Sequence, residues 1–240
     1  VTVLWVLRLG LDEALLAIFV ALVILEMCVP TWAERKGKTS WHPHHIAERY
    51  GLFAIILLGE GVFVASTGVE AVLDSGGVST ALVAVAVSAL ALVFALWWLY
   101  FLQPAGDCLA AHRERSYLWG YGSYGIFAAL AAVGAGLEVA VEQTGHHIAA
   151  SAVAVGYAVA IPVAVFLVLL WALYAPLVPR PVLRPGPMLG GALVVLLLPL
   201  AAEGVALSVV VAAIAIVCAS IVAVTVTREE SAIDIARPVA

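Results

Sequence analysis

Apolar residues run along this chain in blocks of roughly 20, the length that crosses about 30 Å of hydrocarbon at about 1.5 Å per residue. Seven blocks can be marked, at about 11–30, 46–68, 79–102, 117–139, 147–175, 188–202 and 205–226. The strict alternation of a membrane β-barrel strand is missing. These blocks predict an all-α polytopic transmembrane bundle of about seven helices over residues 1–227, followed by a short, polar, frayed tail at 228–240. The sixth block is short and contains Pro199, so blocks six and seven can also be drawn as a re-entrant hairpin around Glu203 and Gly204. Residues 1–8 read as the end of an earlier apolar element.

Composition agrees with the pattern. With 65% hydrophobic and 11% charged residues, and a mean hydropathy of +1.13, the chain has too little polar surface to cover a soluble globule. The chain opens Val1-Thr2-Val3, without a start methionine or a cleavable leader pattern, which predicts a piece of a longer polypeptide.

Orientation follows from the loops, because Lys and Arg collect on the cytoplasmic side. Ten of the eleven basic residues fall in one set of alternate loops: Arg35, Lys36, Lys38, Arg49, Arg113, Arg115, Arg180, Arg184, Arg228 and Arg237. The other set holds only Arg8. Seven crossings give that split, so the expectation is a cytoplasmic (inner) membrane protein with residue 1 outside and the C-terminus inside. Trp97, Trp98 and Tyr100 then fall at the cytoplasmic end of the third block, where amphipathic rings favour the headgroup layer.

Smaller features shape the helices. Gly120, Gly122, Gly125, Ala128, Ala132 and Gly136 predict a face of the fourth helix that neighbours approach closely. Pro162 should bend the fifth helix. Five prolines between Pro176 and Pro187 predict an extended loop. Cys28, Cys108 and Cys218 are scattered in or beside apolar blocks and read as packed thiols.

Chemistry concentrates between Trp41 and Gly61, WHPHHIAERYGLFAIILLGEG. His45, Glu48 and Arg49 stand at i, i+3 and i+4 and share one side of a helix start, with Pro43 placed to open that helix. Eleven residues further, about 16 Å along the axis and nearly a whole number of turns, Glu60 returns to the face of Arg49. Hydrocarbon penalises an ionisable side chain, so Glu60 needs a partner, a proton or a hydrated cavity. Gly59 and Gly61 are expected to open room beside it. The plainer alternative is a protonated Glu60 hydrogen-bonded to another helix.

Glu26, near the cytoplasmic end of the first helix, is a secondary candidate that could approach Arg49. Glu138 and Glu203 read as interfacial. His42, His44 and His45 are weak metal candidates, since neighbours at a helix start point in different directions and no Cys or Asp completes the set. His146 and His147 have the same weakness. Nucleophilic triads, phosphate-cradling loops and nucleic-acid stripes are missing, and a retinal protein would need a lysine inside its last helix. No enzyme activity, cofactor or nucleic-acid partner is expected.

The stretch HHIAERYGLFAIILLGEGV resembles the signature of the bacterial low-temperature requirement A proteins, through His45, Glu48, Arg49, Leu52, Phe53, Gly59 and Glu60. A weaker likeness runs from Tyr117 to Glu138. Many relatives carry a histidine where this chain has Ser123, a departure that touches any mechanism using that position. The resemblance covers the C-terminal half to two-thirds of the family's length. It implies an inner-membrane location and a shared polar site, and it names no substrate.

Two functions lead on this reading. In one, the protein moves a proton, ion or small solute, with His45, Glu48 and Arg49 as a gate and Glu60 as a midplane site. In the other, a non-transporting sensor or assembly module, the same residues only hold helices together. The expected partners are the lipid bilayer and the transported species, with a homo-oligomer left open. A metal enzyme built on His42, His44 and His45 is the third and weakest reading.

Overall fold

Pro43 opens the longest helix, because the N–H groups of a first turn have no acceptor within the helix and proline lacks one anyway. The computed structural model describes residues 15–33, 41–76, 79–145, 150–177 and 182–236. In chain order its helices are α1 (Leu15–Ala33), α2 (Pro43–Gly76), α3 (Thr80–Phe101), α4 (Ala105–Ala111), α5 (Ser116–Gly145), α6 (Ala152–Tyr174), α7 (Pro185–Leu197) and α8 (Leu207–Ala236). No strand occurs among the described residues. Each predicted block has its helix, and α4 is an addition. It is seven residues long, too short for periodicity to reveal, and is set off from α3 by Pro104.

The chain is an all-helical membrane protein. Among the described residues, five stretches are long and apolar enough to cross a bilayer: Thr80–Ala111, Arg113–Thr144, Ala152–Tyr174, Pro185–Glu203 and Leu207–Arg228. α1 holds a shorter apolar stretch, Ala17–Pro30. α2 has 34 residues and carries Glu48, Arg49, Glu60 and Glu70, so its candidacy rests on the apolar run between Arg49 and Glu60 and the one that follows.

The described helices fall into two compact units, Val1–His42 and Pro43–Ala240. The first contains α1, with Leu22 buried and Phe19, Ile24 and Trp32 exposed. The second contains α2 to α8. Within it α6 is apolar all round, which suits a central position. It packs against α5, α7 and α8, burying Val155, Val159, Val163, Phe166 and Leu170. α3 packs mainly on α8 and α2. Ser79 and Ser151 cap α3 and α6 by accepting from Leu82 N–H at 3.1 Å and Ala154 N–H at 3.2 Å.

The small residues of α5 serve two neighbours. Gly122, Gly125 and Gly136 face α6, while Gly134 meets Gly61 of α2, where a Cβ would stand 3.1 Å from the Gly61 Cα. Ala128 and Ala132, predicted on the packed face, are exposed. The seam toward α6 steps by three and four from Gly122 and reaches Ala129 and Val133 instead, following the helical period.

Pro199 converts the end of α7 into a 3-10 turn, Leu198–Glu203, since it has no N–H to donate to the previous turn. Pro185–Glu203 nevertheless reaches 19 residues, long enough for a crossing. α6 runs unbroken through Pro162. α8 continues beyond Thr227 to Ala236, where the sequence predicts a frayed tail; no proline intervenes before Pro238. Residues 1–8 and the end of the tail, 237–240, lie outside the described residues.

Gln103, just past α3, ties down the proline-rich connection. It is 5% exposed, its Oε1 accepts from Val182 N–H at 3.2 Å and its Nε2 donates to Cys108 Sγ at 3.5 Å. Gln103→Leu should leave the Val182 N–H without an acceptor, at a cost of about 1–3 kcal/mol. Faster hydrogen exchange at Val182 than in the wild type is the expected result, and an unchanged rate would show that the tie is not stabilising.

Candidate functional site

The first turns of α2 send their two imidazoles to different carboxylates. His45 Nδ1 lies 3.3 Å from Glu48 Oε2 on its own helix, the i to i+3 pairing that the spacing predicts. His44, 100° further round, turns instead to α4, its Nε2 standing 3.7 Å from Asp107 Oδ1. Gly106 makes this possible, because a Cβ there would overlap the His44 ring. His42 is exposed ahead of the helix. Among the described residues no group of three or more His, Cys, Asp or Glu stands close enough to hold a metal.

Between these elements lies an open cleft of about 290 Å³. α2 supplies His44, Glu48 and Gly51, the end of α3 supplies Tyr100 and Phe101, Gln103 and Asp107 follow, and Tyr174 comes from the end of α6. Gly51 admits the Phe101 ring, whose Cε1 would be 3.1 Å from a Cβ at that position. Behind Tyr174 the buried Trp119 of α5 donates its indole N–H to the tyrosine hydroxyl at 3.3 Å. Tyr50 covers the same indole, with ring centroids 4.6 Å apart. The starts of α2 and α5 and the ends of α3 and α6 thus meet at one end of the second unit. These are the ends that the count of basic residues groups on one side. Trp97 and Trp98 are 40% and 50% exposed at that end of α3.

Glu60 is placed differently from its expectation. Gly61 turns inward to the Gly134 crossing, so the preceding residue falls about 100° away and Glu60 is exposed on the outer face of α2. It is therefore not buried among the helices of its unit. Leu52, Ile56 and Phe63, at 59%, 63% and 63% exposure, surround it with apolar surface. Arg49 is exposed on the same stripe, and among the described residues neither makes an ion pair with the other. Of the two glycines expected to open room, Gly59 does, with nothing within 4 Å of its Cβ position.

Ser123 is 1% exposed, and its hydroxyl donates to the Trp119 carbonyl at 2.8 Å one turn back. It serves its own helix and does not line the cleft. Glu26 is exposed on α1 in the first unit. Glu203 is exposed and Glu138 half-buried. His146, His147, Arg35, Lys36 and Lys38 lie outside the described residues.

Sequence reasoning missed Asp107, Gln103, Tyr100 as a cleft residue, Tyr174 and Trp119. The one local signal was the polar break Gln103-Pro104 after a run of aromatics, with Asp107 one turn beyond. Tyr174 and Trp119 carry no such mark and meet only through the antiparallel packing of α5 and α6.

The family described as Bacterial low temperature requirement A protein (LtrA) matches residues 1–226, nearly the whole chain. The chain belongs to that family. No curated protein matches it, and no solved structure does.

Proposed function

We propose that this low temperature requirement A family protein moves a proton or small cation across the cytoplasmic membrane, residue 1 lying outside and the C-terminus inside. The cleft at the start of α2, which Glu48 lines, would be the cytoplasmic entrance, with His45, Glu48 and Arg49 as the gate beside it. Glu60, about 16 Å along the same helix, would be the midplane group that takes up and releases the charge. The reading is of transport and not of catalysis.

One observation carries it: a single helix presents Glu48 in the cleft and Glu60 on its outer face among the exposed Leu52, Ile56 and Phe63. A carboxyl at membrane depth is costly unless it pairs, titrates or meets water. Between α5 and α6 the packing is closed, with Leu130, Phe166 and Leu167 at 2% exposure or less. The path would therefore follow the outer face of α2 beneath a covering helix, for which a second copy of the chain in a homo-oligomer is one source.

In liposomes carrying a pH-sensitive dye, wild-type protein should dissipate an imposed proton or cation gradient, and Glu60→Gln should slow that flux at least tenfold. Equal flux in the two proteins would take Glu60 out of the mechanism. The outward exposure of Glu60 also favours the second reading, an assembly module in which Glu60 bonds to another helix. That reading expects no wild-type flux, and a Glu60→Gln protein that loses oligomer or melts earlier in detergent.

A further inference from the structure

The geometry points to the cleft as a binding site for a primary ammonium group, R–NH3+. This deepens the transport reading and rests on it for the idea of a cargo, but binding is measurable without flux.

The lining is acidic and rich in oxygen acceptors. Glu48 and Asp107 reach it from different helices, and the basic group among its lining residues is the His44 imidazole, already turned to Asp107 at 3.7 Å. A second observation is independent of these acids. Tyr100 is only 7% exposed, lines the cleft, and its hydroxyl makes no hydrogen bond to any described residue. The oxygen is not sealed off, so an occupant of the cleft can reach it and bond to it. Tyr174, 2% exposed, also lines the cleft, and its hydroxyl accepts from Trp119 with one lone pair and keeps a second.

These groups suit N–H donors rather than a bare metal ion. A hard divalent cation takes six or more oxygen ligands, whereas here two carboxylates stand apart on α2 and α4. An ammonium brings three donors that can be shared among separated acceptors. The rings of Tyr100, Phe101 and Tyr174 would cover the attached carbons, and aromatic faces attract such cations. A volume of about 290 Å³ limits R to a small group. The same chemistry occurs in free amines and in the ethanolamine headgroup of a phospholipid.

The test is ethylammonium titrated into purified full chain in phosphatidylglycerol nanodiscs, followed by calorimetry. Saturable binding is expected, weakened at least tenfold in Asp107→Asn and in Glu48→Gln, and about threefold in Tyr100→Phe, each with an unchanged melting temperature. Glu203→Gln, beyond the other end of the bundle, should bind as the wild type does. Tetramethylammonium, which has no N–H, should bind at least tenfold more weakly. In nanodiscs containing phosphatidylethanolamine, a weaker apparent affinity identifies the headgroup as an occupant, and an unchanged one supports a free amine. No saturable binding, binding unaffected by both carboxylate changes, or equal binding of tetramethylammonium would overturn the inference. Binding without flux in liposomes would uphold it and count against transport alone.

Discussion

Gly136→Ala should lower the melting temperature of the detergent-solubilised protein markedly, although alanine is the better helix former. A methyl group at this position overlaps the Ala158 carbonyl oxygen and stands 2.7 Å from its carbon and 3.1 Å from Val159 N. These are backbone atoms of α6 and cannot turn aside as a side chain could. The helices must separate, loosening Val133 and Leu137 against Val155 and Val159, all buried. Overpacking of this kind costs about 1–3 kcal/mol, and Gly136→Val should cost more. Gly190→Ala is the control. It lies within α7 with nothing within 4 Å of its Cβ position, so it should be neutral or stabilising by about 0.5–1 kcal/mol. If the two alanine proteins melt together, the close approach of α5 to α6 is not as described.

Trp119→Ala should be the most disruptive single change near the cleft. The indole is 1% exposed, stacks in a tilted contact on Tyr50 and holds the Tyr174 hydroxyl. Removing it leaves a cavity behind the cleft wall, worth about 3–5 kcal/mol for a buried tryptophan. Trp119→Phe keeps most of the volume and loses the N–H, for about 1 kcal/mol. Unfolding in a graded mixture of mild and denaturing detergent should order the proteins wild type, Trp119→Phe, Trp119→Ala. A Trp119→Ala protein as stable as the wild type would mean that the indole does not support the wall.

Much of this arrangement is local and therefore legible before folding. Block length and apolarity mark the helices, Pro43 marks a helix start, and the three-residue spacing of His45 and Glu48 anticipates their 3.3 Å contact. The domain family is legible for a related reason, since polar residues at fixed intervals inside an apolar helix are rare and specific. Asp107 escaped because it belongs to a seven-residue helix with no period to read.

Amino-acid order alone dictated which segments become membrane helices and which of their residues share a face, because hydrophobic run length and the 100° helical step are properties of one segment. The direction each face takes was decided only by packing. The Gly61–Gly134 crossing orients all of α2, turning Glu60 outward and bringing Glu48 to the cleft, and the small Gly106 lets His44 meet Asp107. Those outcomes depend on how closely two backbones approach, and close approach is a joint property of both helices.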